Sequence, residues 1–145
     1  MFERILVPVD GSDGALAALE RAVEMQSKFG SKLLILCVYR HYSLLEASMS
    51  MVRPEAPENL DDAMREYATN VVENAKQFAT DHGAKEVRGF VKSGPPARTI
   101  VGFAKERDVD LIVLGSRGLG DREHFLLGSV SHKVTSLSEC PTLVV

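Results

Sequence analysis

Glu3-Arg4-Ile5-Leu6-Val7-Pro8-Val9-Asp10-Gly11-Ser12-Asp13 joins a strand to the first turn of a helix. The run from Glu3 to Val9 is short, rich in Ile, Leu and Val, and bounded by Pro8 and Asp10. Apolar residues at successive positions suit a strand buried on both faces. Ser12 and Asp13 can cap a helix running to about Lys28. Leu16, Leu19, Val23 and Phe29 give that helix an inner face. Gly30 is placed to end it in the left-handed conformation.

The same strand-then-helix unit recurs along the chain. Lys32 to Tyr39 is a second apolar strand. Arg40 to Asn59, with Pro54 and Pro57, has mixed composition and is expected to be an irregular, mobile loop. Leu60, Met64, Tyr67, Val71, Ala75 and Phe78 recur at three or four, which predicts a long amphipathic helix stopped near Gly83. Glu86 to Val91 is a third strand. Gly94-Pro95-Pro96 is a turn, and Pro96 can open a helix whose Ile100, Phe103 and Ala104 face inward. Asp110 to Leu114 is a fourth strand, about Gly128 to Ser138 a helix, and Thr142 to Val145, opened by Pro141, a fifth strand. Strands alternating with helices imply an α/β domain, a single five-stranded parallel sheet sandwiched by helices, over residues 1–145. Ligands in such sheets bind beyond the carboxyl ends of the strands, so the loops after strands one, two and four are the ones to inspect.

Composition narrows the function. The chain has 145 residues, 45% apolar and 26% charged, with a net charge of −3, the balance of an ordinary soluble domain. Mixed charge without a basic face argues against a nucleic-acid binder. No apolar run approaches the roughly 20 residues that span a membrane, and the N-terminus lacks a secretory pattern. A cytoplasmic protein is expected. Cys37 lies in an apolar run and reads as a buried thiol, and a disulfide with Cys140 is not expected. His41, His82, His124 and His132 show no metal or nucleophile spacing. His82 fits the last turn of a helix, and His132 is expected to face solvent.

The loop after strand four carries the chemistry: Gly115-Ser116-Arg117-Gly118-Leu119-Gly120, then Gly128-Ser129-Val130-Ser131. Glycines permit close approach of backbone N–H groups to a phosphate. The second piece stands at a helix N-terminus, with unpaired N–H groups and the positive end of the dipole. The hydroxyls of Ser129 and Ser131 are further candidate donors. On spacing alone a second reading stands beside this one: turn glycines, with Ser129 as an ordinary helix cap. Asp10 likewise reads either as a turn residue or as a ligand.

These motifs together resemble the ATP-binding branch of the universal stress proteins. The resemblance rests on Ile5 to Ser12, Val91 to Pro96, Asp110 to Gly115, the glycine-rich loop, and Cys140 to Val145, in the expected order; only Tyr39 to about Asn59 lacks a recognisable pattern. It implies strand order 3-2-1-4-5, an adenine nucleotide alpha-hydrolase-like (Rossmann-like) sheet. It also implies roles. Pro8 and Asp10 would lie beside the nucleoside, with Asp10 near the ribose hydroxyls. Val38 would offer backbone groups to the adenine edge. Leu114 and Gly115 would border the ribose and phosphates, and Gly118, Gly128, Ser129, Val130 and Ser131 would hold the phosphates. The cofactor expected is ATP, or ADP or AMP, with Mg²⁺ bridging phosphates and no dedicated protein metal site. Asp121-Arg122-Glu123-His124 departs from the pattern and reads as a solvated flap. It leaves open whether a triphosphate or a shorter nucleotide is held.

The expected function is a nucleotide-binding regulatory protein of the stress response, with no catalytic residues. Nucleotide occupancy would alter conformation or choice of a downstream protein partner. The alternatives are a slow ATP hydrolase, or a dimeric interaction protein without nucleotide. A homodimer through Thr142 to Val145 is expected, because an apolar edge strand needs cover. A P-loop NTPase is excluded by the lack of Gly-x-x-x-x-Gly-Lys-Ser/Thr. A dinucleotide-binding domain is excluded because the first turn is not Gly-x-Gly-x-x-Gly. A receiver domain fails because Lys92 and Ser93 stand where its phosphoacceptor aspartate would be.

Overall fold

The computed structural model describes residues 1–40, 57–116 and 127–145. Strands β1 (Arg4–Pro8), β2 (Lys32–Tyr39), β3 (Val87–Ser93), β4 (Leu111–Leu114) and β5 (Thr142–Val144) alternate with helices. Among the described residues these are α1 (Asp13–Phe29), α2 (Pro57–Asp81), α3 (Pro96–Glu106) and α4 (Ser129–Leu137). The strands form one sheet in the order β3-β2-β1-β4-β5, and every neighbouring pair is parallel. The architecture is the one expected from the order of elements and from the family resemblance.

A pleated strand sends successive side chains to opposite faces, and here both faces are apolar. Ile5, Val7, Leu33, Ile35, Leu111 and Val113 pack under α1 and α2. Leu6, Leu34, Leu36, Ile112 and Leu114 pack under α3, which supplies Ile100, Phe103 and Ala104, and under α4, which supplies Val134. That double burial is why the strands read as continuous apolar runs rather than alternating ones.

Helix α1 starts as expected. The Ser12 hydroxyl accepts the Ala15 N–H at 3.2 Å, and Gly30 ends the helix with φ 68°. Its inner face differs at one end. Phe29 is 40% exposed and meets Phe2 edge-on with ring centroids 5.6 Å apart. The helical period brings Gln26, not Phe29, under the helix after Val23. Gln26 is buried, and its carboxamide bonds both the carbonyl and, at 3.0 Å, the N–H of Lys85.

Helix α2 begins at Pro57, three residues before the expected Leu60, so the expected loop does not reach Asn59. A proline in the first turn forgoes no helical hydrogen bond. The buried stripe is Ala68, Val72, Ala75 and Ala79. Leu60, Met64, Val71 and Phe78 are half-buried at its margins, and Tyr67 is 55% exposed. Small residues occupy the centre because the helix lies close on β3: a Cβ added to Gly89 would fall 2.4 Å from Val72 Cγ1. The rest of the expected loop, residues 41–56 with His41, lies outside the described residues.

Four strands also have shifted limits. β1 runs from Arg4 to Pro8, one residue shorter at each end than the expected Glu3 to Val9. Glu86 has φ 48°, a left-handed conformation foreign to a regular strand, so β3 starts at Val87 and pairs on to Tyr39↔Ser93. Strand β4 starts at Leu111 because Asp110 turns its carboxylate onto β1, accepting the N–H groups of Glu3 and Arg4, each at 2.9 Å. Strand β5 ends at Val144, although the Val145 N–H still bonds Leu114 O at 2.9 Å. Replacing Asp110 with Ala is expected to destabilise the protein by about 1–3 kcal/mol, since two N–H groups lose a charged acceptor. Urea denaturation of both proteins measures this. No helix among the described residues is long and apolar enough to cross a membrane.

Candidate functional site

The sheet opens where its strand order reverses. Pairing of β1 with β4 stops at Leu6↔Ile112, whereas pairing of β1 with β2 continues to Pro8↔Leu36. Beyond Leu6 and Ile112 the two strands part. The chain leaves β1 for α1 and leaves β4 toward α4, so a crevice forms at their carboxyl ends, where α/β sheets hold ligands. The cleft there measures about 290 Å³.

Eight of the ten residues expected at a site are brought together. Pro8, Asp10, Val38, Leu114, Gly115, Ser129, Val130 and Ser131 all line the cleft. Gly128 is buried just behind it as the cap of α4. Gly118 lies outside the described residues, as do Arg117, Gly120 and the polar stretch 121–124. Val9, Ser12, Ala15, Leu36, Arg40, Pro96 and Ile100 complete the lining.

Gly115 is a packing necessity. A Cβ there would stand 2.9 Å from both the carbonyl carbon and the oxygen of Gly14. The end of β4 can therefore meet the first turn of α1 only if residue 115 has no side chain. The Gly115 carbonyl accepts the Ser131 hydroxyl at 2.6 Å, which ties α4 to β4. Ser131 thus spends its hydroxyl proton on the scaffold, and the expectation of a hydroxyl donor to a ligand is corrected there.

The start of α4 is equally defined. Gly128 is the cap and makes no side-chain capping bond, so Ser129 is not the cap. The Gly128 N–H is taken by Ser116 O at 2.6 Å, and the first intrahelical bond runs from His132 N–H to Gly128 O at 2.9 Å. The N–H groups of Ser129, Val130 and Ser131 accordingly have no acceptor within the helix. All three residues border the cleft, and the positive end of the helix dipole faces it.

On the opposite side, Asp10 accepts the Ser12 N–H at 2.9 Å. That bond makes Asp10 a turn residue and fixes its carboxylate at the rim. Cys37 lies beneath. Burial, with the negative charge of Asp10 added, pushes its thiol up to about 11, so it stays protonated and is no nucleophile at neutral pH. His82 and His132 are absent from the lining. His82 closes α2, its Nδ1 2.8 Å from Phe78 O, and His132 is exposed. His124 lies outside the described residues. Among the described residues no group of three or more His, Cys, Asp or Glu could hold a metal ion.

Sequence reasoning missed Arg40. It follows the last residue of β2 and is the one cation among the described lining residues. The rule that ligands bind past strand carboxyl ends could have found it, but its place at the head of a patternless stretch hid it. Pro96, which starts α3, and Ile100, a core residue, also form one wall of the cleft.

The chain has known counterparts. The universal stress protein YxiE of Bacillus subtilis is 38% identical over 149 residues, covering 100% of this chain and 99% of that one. The universal stress protein UspA from Lactobacillus plantarum superposes with a TM-score of 0.83 at 29% identity, over 99% of this chain and 97% of the other. A universal stress protein solved in complex with cAMP has a TM-score of 0.72 at 27% identity, over 99% and 96%. The family model of these proteins matches residues 1–145. With the family model matching from end to end and a relative 38% identical over its whole length, the chain belongs to the universal stress protein family.

Proposed function

We propose that the protein binds an adenine nucleotide in the cleft between β1 and β4 and acts as a regulatory protein in which occupancy changes conformation or partner choice. The observation that carries this reading is the set of N–H groups of Ser129, Val130 and Ser131 at the cleft, which have no acceptor among the described residues. A helix N-terminus of this kind favours phosphate through its N–H groups and its dipole together. Leu36, Val38, Ile100 and Leu114 give the cleft an apolar wall, which suits a purine. Asp10 at the rim suits ribose hydroxyls. The volume of about 290 Å³ is near the lower end of ligand pockets, enough for a nucleoside with its phosphates toward the helix. The relative solved with cAMP supports an adenine nucleotide as the ligand class. ATP is the nucleotide we propose. Any Mg²⁺ would be held by its phosphates rather than by a cage of carboxylates.

Calorimetric titration with ATP tests the reading, together with mass spectrometry of gently denatured protein to identify any nucleotide carried through purification. Saturable ATP binding that Ser129→Asp weakens supports it; no heat at millimolar ATP removes it. The cleft lining holds one carboxylate and no histidine among the described residues, which favours binding over turnover. Phosphate release should fall far below the roughly 1–10³ s⁻¹ of ordinary enzymes, and sustained release in that range, lost in Asp10→Asn, would make the protein a hydrolase.

We also propose a homodimer through β5. That strand is at the edge of the sheet, and Leu137, Leu143 and Val145 are large exposed apolar residues near it. An uncovered edge invites pairing with a second copy. Val144 packs against the core under α3 and α4, so a lysine there would damage the fold. Leu143 is exposed and is the better position. Light scattering should give a dimer for the parent and a monomer for Leu143→Lys; a parent that is monomeric at micromolar concentration contradicts the dimer.

A further inference from the structure

A second cleft lies at the other end of the sheet, where the strands begin. It measures about 620 Å³ and is lined by Arg4, Lys32, Glu86, Arg88, Glu106, Arg107 and Asp108, with Leu33, Leu34 and Val87 at its base. Two of its cations are held on one aromatic ring. The Arg88 guanidinium lies 5.2 Å from the centroid of Phe90. That of Arg107 lies 4.7 Å from the same ring and 5.4 Å from Phe103. Phe90 belongs to β3 and Arg107 caps α3, so two separate elements bring like charges together.

Among the described residues, Arg4, Lys32, Arg88 and Arg107 form no ion pair within 4.0 Å. Their side chains make no hydrogen bond there either. The three carboxylates share the cleft but stand farther off. An aromatic face orients a guanidinium without using any of its five N–H donors. Arg88 and Arg107 are therefore positioned and still have their donors to offer. The planar fork of arginine matches phosphate oxygens two at a time. Four cations stand against three carboxylates in the lining, so a single phosphate on one cation meets only a small net positive charge. A chain of phosphates can instead reach several cations at once.

We propose that this lower cleft is a second ligand site, distinct from the cleft between β1 and β4, and that it takes a linear polyphosphate group, with Arg88 and Arg107 gripping the phosphates and Lys32 and Arg4 extending the contact. The group could belong to inorganic polyphosphate or to the phosphate chain of a nucleotide.

Titration of ¹⁵N-labelled protein at constant ionic strength, with tripolyphosphate and ATP in parallel, tests this. Saturable shifts of the Lys32, Arg88 and Arg107 amides are expected with tripolyphosphate. Equal or weaker affinity of ATP for those amides assigns the site to free polyphosphate, and tighter ATP binding there assigns it to a nucleotide. Arg88→Gln with Arg107→Gln should weaken the affinity read at Lys32 at least tenfold, and leave shifts at Ser129 and Val130 as they were. Lower-cleft amides that do not move, or a folded double variant with unchanged affinity, overturn the proposal. Should the double variant fail to fold, Lys32→Gln alone should loosen binding about threefold, and unchanged affinity there is equally fatal.

Discussion

Gly115→Ala should destabilise the protein by about 1–3 kcal/mol, the usual cost of overfilling a packed site, and weaken ATP binding at least tenfold. One methyl group is enough because its nearest neighbours are backbone atoms. The Gly14 carbonyl carbon and oxygen would be 2.9 Å from it, and neither can swing aside as a flexible side chain would. Relief requires moving β4 from α1. That displaces the Gly115 carbonyl, which holds Ser131 and through it the start of α4. Gly102→Ala is the matched control. Position 102 is inside α3, and an added Cβ there meets nothing within 4 Å. The same change should stabilise the protein by roughly 0.5–1 kcal/mol through helix propensity. Urea denaturation of the two variants with the parent should give shifts of opposite sign. A Gly115→Ala variant as stable as the parent or more so would mean that the β4–α1 contact is not tight.

Ser129→Asp is expected to separate stability from binding. Position 129 is the first residue of α4, where a carboxylate favours the helix by about 0.3–1 kcal/mol. The same carboxylate would compete for the N–H groups offered to phosphate and repel the phosphate itself. ATP affinity should fall about a hundredfold, close to 2.8 kcal/mol, in a protein as stable as the parent or slightly more so. Calorimetry and thermal melting together decide it. Unchanged ATP affinity would place the phosphates somewhere other than this helix.

The fold was legible because its strands are buried on both faces, and such strands stand out as short apolar runs between turns. Ser12, Gly30 and Pro96 marked helix ends by local chemistry, which needs no tertiary knowledge. What escaped were contacts set by other elements. The α2 stripe was misplaced toward large residues because nothing local says that Gly89 on a distant strand brings the helix close. Glu86 looked like the start of a strand because a left-handed conformation is rare for glutamate and leaves no mark in sequence. Asp110 looked like strand for a similar reason, since its partners at Glu3 and Arg4 are far away along the chain.

The site divides the same way. Backbone features could be anticipated, because a glycine-serine start to a helix after an apolar strand implies unpaired N–H groups. The use of individual side chains could not. The Ser131 hydroxyl donates its hydrogen bond to the Gly115 carbonyl, and Arg40 enters the lining from a segment without pattern. Both depend on how the carboxyl ends of three strands are arranged in space.

Amide-resolved titration of the labelled protein with ATP reads the N–H groups that open α4, where the phosphates of an adenine nucleotide are proposed to sit. Saturable shifts of Ser129, Val130 and Ser131 are expected, moving in step with Asp10, Val38 and Gly115 and sharing one dissociation constant. Amides of Ser129, Val130 and Ser131 that stay in place at millimolar ATP would contradict that placement.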